Sequence, residues 1–138
     1  MTEHLAYRFD WEEVHGATVT DILGLNSQIM NDGSEHWDAV AICIGAKAVL
    51  LTVDWDTDQV IASHGDMPSG AGWTAIPSFG FAMDQPLGWS WVGINYLGYK
   101  DCFSIAFGND LSTALAPRCM FIAAGSSLSC LDLTPRLA

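Results

Sequence analysis

The sequence predicts a mainly β fold, an antiparallel barrel or sandwich built from two tandem β-meander units with little helix. Three observations carry that expectation. Apolar and polar residues alternate with period 2 through several segments; "DAVAICIG" (38–45) and "DCFSIAFG" (101–108) agree in length, ends and phase; and Gly, Pro, Asn and Asp punctuate the chain at short intervals.

Taken in order, Leu5, Tyr7, Phe9 and Trp11 alternate with His4, Arg8, Asp10 and Glu12. On a helix this spacing would scatter the aromatics over opposite faces, so it predicts a half-buried strand near 4–12 with its odd residues inward. A second strand is expected near 17–25, ending at "GLN" (24–26). Residues 26–32 are a weak helix candidate, and "MNDGSEHW" has the character of an inserted loop. Strands follow near 38–45, 48–55 and 58–63. In the first, Val40, Ile42 and Ile44 are bulky while Ala39, Ala41 and Cys43 are small.

The second unit repeats this plan with strands near 88–96, 101–108, 118–124 and 128–134. "GIN" (93–95) matches "GLN", and Phe103, Ile105 and Phe107 take the bulky phase. Asn95 and Gly98 suit a tight turn, and Asp101, the counterpart of Asp38, can accept bonds from local amides. A short helical turn is expected within 109–116, capped by Asp110 or Ser112 and stopped by Pro117. The chain is then one domain, with units at about 16–63 and 88–134 joined by loop 64–86.

Composition narrows the class. Of 138 residues, 50% are apolar and 15% charged, which excludes a disordered chain. The longest nearly apolar run, Ala39 to Val53, is broken by Gly45 and Lys47 and falls short of the roughly 20 residues of a membrane helix. "MTEHLAYRFDWEE" has neither a basic nor an apolar leader region, so a cytoplasmic protein is expected. Four cysteines without a C-x-x-C pair read as free buried thiols. A net charge of −11 argues against direct nucleic-acid binding, because phosphate contacts need Lys and Arg. It suits a protein partner with a basic surface, or simple solubility.

Chemistry-bearing patterns are sparse. Asp54, Asp56 and Asp58 have the spacing of the first calcium-loop ligands, but Gln59 and Gly65 stand where that loop needs Gly and Glu. A charged hairpin tip is the expectation, with no metal and no cofactor. "HWD" (36–38) and "HGD" (64–66) could set an imidazole beside a carboxylate, although such short matches arise by chance. Neither "GSSLS" nor "KDCFS" forms a nucleophile motif, so no catalytic residue is assigned.

Binding candidates are therefore aromatic or acidic. Loop 64–86 carries Trp73, Phe79 and Phe81, which fit either a partner-contact lid or a plug over an open end of the sheet. Trp89 and Trp91 share a strand face with Gly93. They either form a platform for a ligand or pack in the core against Phe103, Ile105 and Phe107. With Asp54, Asp56 and Asp58 these residues make up the candidate site.

The segment "GWSWVGINYLGYKD" with the later "FIAAGSSLSCLDL" resembles small bacterial domains of unknown function that carry W-x-W, N-x-x-G-Y-x-D and a Ser-Ser-Leu before the final strand. That resemblance implies no assigned activity. The leading expectation is a non-enzymatic cytoplasmic protein-binding domain of the immunity or inhibitor kind. The alternative is a small-molecule binder or enzyme with a site near the aromatic hairpin and loop 64–86, and exposed edge strands also admit a homodimer.

Overall fold

The structure, a computed structural model, describes residues 6–54 and 56–133. Two antiparallel sheets pack face to face, as a sandwich and not a closed barrel. The first unit comprises β1 (Asp21–Leu25), β2 (Gln28–Ile29), β3 (Glu35–His36), β4 (Ala39–Ile44), β5 (Lys47–Asp54) and β6 (Gln59–Asp66). Then come β7 (Trp73–Ala75), β8 (Leu87–Gly93), β9 (Cys102–Phe107), the single helical turn α1 (Leu111–Ala114), β10 (Cys119–Ala124) and β11 (Ser127–Asp132). Sheet one has the order β6-β5-β4-β1-β7 and sheet two the order β11-β10-β9-β8, so each contains a four-stranded meander. In the first, the β2–β3 hairpin interrupts the step from β1 to β4.

The same hydrogen bond marks both steps. Asn26 Nδ2 donates to Asp38 Oδ2 (2.9 Å) after β1, and Asn95 Nδ2 donates to Asp101 Oδ2 (3.1 Å) after β8. Each pair fixes the point where the chain turns into the next strand.

Period 2 places Val40 and Ile42 of β4, Phe103 and Ile105 of β9 and Phe121 of β10 in one shared core, all fully buried. The small residues of β4 are buried as well. Ala41 and Cys43, with Ala48 of β5, lie under Leu23, Leu50 and Trp73 on the outer face of sheet one. Covered on both sides, β4 reads as a continuous apolar run.

Trp37 locks the layers together. Its backbone exchanges two hydrogen bonds with Leu128 of β11 (2.9 and 2.7 Å), while its indole lies over Gly24 of β1 and beside Phe79. A Cβ at Gly24 would fall 2.3 Å from Trp37 Cδ1, so only glycine admits the ring. Among the described residues the buried Trp37 Nε1 has no hydrogen-bond partner.

Several expectations need correction. His4 and Leu5 lie outside the described residues. Among the rest of 4–12, Tyr7 makes one parallel bridge to Ala62, and Trp11–Glu13 wind into a 3-10 turn. Asp10 caps that turn by accepting from Glu12 N (3.0 Å), and Glu12 and Glu13 favour its amide end, which outweighs extension. Tyr7, Phe9 and Trp11 nevertheless pack on the core. Residues 26–32 hold β2 and a turn in place of a helix, because Asp32 binds Ser34 N and Gly33 takes a positive φ of 86°. Loop 64–86 begins as the end of β6, adds β7 on the edge of β1 and closes with a 3-10 segment at Pro77–Ala82. Asp110 is the cap of α1, accepting from Thr113 N (2.9 Å). Among the described residues no helix is long and apolar enough to cross a membrane.

Candidate functional site

Register decides the fate of the two tryptophans. Ser90 pairs with Ile105 and Val92 with Phe103, so those residues face the core; Trp91 pairs with Ser104 and Gly93 with Cys102, on the outside. Of the two readings of Trp89 and Trp91, packing of both indoles in the core against Phe103, Ile105 and Phe107 is therefore the one that the register rules out. One extra residue in β8 between Leu87 and Ser90 makes a bulge there, and Trp89 stands 52% exposed. The inner phase is already filled: Tyr7 Oη bonds Ser90 Oγ (2.8 Å), and its ring meets Phe103 at 5.4 Å. Gly93 is required by its neighbour, since a Cβ there would touch Cys102 Cβ at 2.9 Å.

Two of the three aromatics singled out in 64–86, Phe79 and Phe81, turn inward. Phe79 is buried and stacks on Phe121 (5.7 Å), while Phe81 lies edge-on to Phe107 with the Arg118 guanidinium 3.7 Å over its ring. Trp73 is half-buried on the outer face of sheet one. Phe79 and Phe81 thus pack on the core as a plug, Trp73 lies apart from them, and the cavity beside Phe79 and Phe81 is not the one beside Trp89.

Asp54 and Asp58 shape the β5–β6 turn. The Asp54 carboxylate accepts from Asp56 N (3.0 Å), and Asp58, at φ 53°, accepts from Ser126 N (3.0 Å) in the β10–β11 turn. Next to them, Lys100 N donates to Gln59 Oε1 and Val60 N donates to Lys100 O, both at 2.9 Å. These bonds gather three hairpin turns at one pole of the sandwich: Asp54 to Gln59, Gly93 to Cys102, and Ala124 to Ser127.

The central turn is the stretch "INYLGYKD". Asn95 Oδ1 accepts from Leu97 N (2.9 Å) and Tyr99 N (3.2 Å), its backbone N donates to Tyr99 O (2.9 Å), and Gly98 N donates to Asn95 O (2.9 Å). Gly98 supplies the required positive φ of 89°. With its backbone held this way, the turn presents Ile94, Tyr96 (95% exposed), Leu97 and Tyr99 to solvent. Exposed carboxylate Asp56 stands on the neighbouring turn. Sequence reasoning missed these four side chains because it followed strand parity through the tryptophans. The available signal was two tyrosines, a leucine and an isoleucine crowded around turn residues, where no strand can bury them.

Elsewhere the geometry is less suggestive. A cavity of about 250 Å³ beside β10 and β11 is lined by Trp37, Phe79, Phe81, Cys119, Cys130 and Asp132, among others. All four cysteines are free. Burial, aided by the Asp101 carboxylate, pushes the Cys102 thiol up to about 11, and a bond to Cys130 together with burial raises Cys119 well above the ordinary thiol value. Neither is poised as a thiolate nucleophile. His36 binds Ser127 Oγ (2.9 Å) and Ser34 Oγ (3.1 Å), not Asp38, and His64 meets Glu13 (3.1 Å) while Asp66 pairs with Lys47 (2.6 Å). Among the described residues no three His, Cys, Asp or Glu side chains gather as metal ligands.

No curated protein and no solved structure compared with the chain matches it. A protein family described only as a family of unknown function, DUF6334, matches residues 1–136, and the chain belongs to that family.

Proposed function

We propose that the chain is a non-enzymatic, cytoplasmic protein-binding domain that engages a basic partner through the pole where the three turns meet, in the manner of an immunity protein or inhibitor. One observation carries the reading: Tyr96, Leu97 and Ile94 are strongly exposed on a turn whose backbone is held by Asn95, beside an acidic turn. Tyrosine on a pre-ordered backbone gives large contact area for little entropy loss, and aromatic residues are enriched where partners bind most tightly. The charge of −11 would draw a basic partner and speed its encounter. The matched Asn–Asp bonds and strand orders support descent of the two sheets from one repeated unit.

Immobilised protein and its Tyr96→Ala/Leu97→Ala variant should be compared for capture from source lysate. A partner held at low salt by the first, lost by the second and released by added salt is expected. Identical captures from both would sink the proposal. The small-molecule alternative draws support from the cavity lined by Phe79 and Phe81, whose 250 Å³ lies just under the usual range for ligand pockets.

A further inference from the structure

We infer that the cavity where the segment from Tyr7 to His15 meets the bulge of β8 binds a quaternary or methylated ammonium group. It measures about 220 Å³ and is lined by Tyr7, Trp11, Glu12, His15, Trp89 and Ser90. Three of these side chains are electron-rich aromatics and one is a carboxylate, whereas no lysine or arginine lines the space. The faces of indole and phenol rings are the negative part of their quadrupole and attract a cation laid over them.

Hydrogen bonds set the rings in place. The bulge between Leu87 and Ser90 takes Trp89 out of the inner phase and leaves it 52% exposed at this spot. On either side of it in the chain, Gly88 O accepts from Trp11 Nε1 (2.9 Å) and Ser90 Oγ bonds Tyr7 Oη (2.8 Å). The Tyr7 and Trp11 ring centres thereby stand 6.2 Å apart with their planes at 70°, two walls meeting at a corner. Glu12 follows Trp11 in the same 3-10 turn, and among the described residues no basic side chain pairs with its carboxylate.

The same bonds select the ligand. Trp11 Nε1 has spent its one hydrogen on Gly88, and Tyr7 Oη and Ser90 Oγ satisfy each other, so the aromatic walls offer π surface and little else. A sugar or a primary ammonium would give up hydrogen bonds to water that these walls do not replace. A methylated ammonium has few or none to lose, and its charge suits both Glu12 and a chain of net charge −11. A cavity of this size takes the head group alone. The rest of the ligand, a short free chain as in choline or the side chain of a methylated lysine, extends into solvent. None of residues 94–99 lines the cavity, so the inference stands apart from the turn proposed to hold a protein partner.

Titration of the isotope-labelled intact chain with choline chloride, against sodium chloride at equal ionic strength, tests the inference by nuclear magnetic resonance. Saturable shifts are expected at the Trp11 and Trp89 indoles and the Gly88 to Ser90 amides, with a Kd on the order of 1 mM. The neutral tert-butyl analogue of choline should bind about tenfold more weakly, and Trp89→Leu and Glu12→Gln should each weaken choline by about three- to tenfold. No saturable shift up to about ten times that Kd overturns the inference. So does equal binding of the neutral analogue, which would make the cavity an apolar one only, or either variant binding as tightly as the parent. Should Trp89→Leu fail to fold by circular dichroism, Glu12→Gln and the neutral analogue still decide. A trimethyllysine peptide that binds more tightly than choline names a methylated protein as the source, and the reverse order names a free metabolite; both orders support the site.

Discussion

Replacing Gly24 by alanine puts the contact between the sheets to a direct test. In an exposed strand the change would stabilise, because glycine loses about 0.5–1 kcal/mol more backbone entropy than alanine. Here the new methyl would lie 2.3 Å from Trp37 Cδ1, 2.6 Å from Nε1 and 2.9 Å from Cγ, against an optimum near 3.5–4.0 Å. Trp37 is 3% exposed and has Phe79 beside it, so the ring has little space to retreat. Overpacking of this kind costs about 1–3 kcal/mol, and expulsion of the ring approaches the 3–5 kcal/mol of deleting a buried tryptophan. We expect a loss of about 3 kcal/mol, read from urea unfolding followed by tryptophan fluorescence. In a Trp37→Leu background the same substitution should cost less than about 0.5 kcal/mol, giving a coupling of 2 kcal/mol or more. A Gly24→Ala protein as stable as the parent, or one equally destabilised in both backgrounds, refutes the reasoning.

Asn95→Ala removes the acceptor of the Leu97 and Tyr99 amides and the donor to Asp101; it should cost about 1–2 kcal/mol and speed hydrogen exchange at those two amides. Tyr96→Ala and Leu97→Ala, both at exposed positions, should leave the melting temperature within a degree or two while abolishing partner capture. Asp110 is held below its ordinary value chiefly by Ser112, then by Thr113, so its carboxylate is favoured in the folded chain. That stabilisation is present above the unfolded value of 3.8 and disappears as pH falls through the lower folded value; Asp110→Asn should flatten the acid limb of a melting-temperature profile. Cys102, with its thiol at about 11, should react with iodoacetamide far more slowly at pH 8 than in urea, and equal rates would remove the burial argument.

Much of the architecture was legible because period 2 survives in the core strands. Val40, Ile42, Phe103 and Ile105 face inward as the alternation requires, and the turn residues Asn95 and Gly98 take the conformations their chemistry favours. Other elements were hidden. Alternation from 4 to 12 describes burial of Tyr7, Phe9 and Trp11 but not extension, because Asp10 caps a helical turn that keeps the same side chains on the core. The bulge in β8 and the partner Trp37 requires from Gly24 are long-range facts: neither has a local signature. The acidic residues and the turn around Asn95 were each readable, but their meeting depends on the bonds from Gln59 to Lys100 and from Asp58 to Ser126, which span distant parts of the chain.

The way Asn95 holds its turn separates form from content. Its bonds reach only backbone amides and Asp101, so none of the side chains at 94, 96, 97 or 99 is needed to keep the loop in shape. Those four positions are thus open to substitution without a folding penalty, much as an antibody loop is. On the proposed reading of the tip as a partner surface, drift at those positions alone would change the partner, and a library randomised there would begin from a scaffold already prepared for selection.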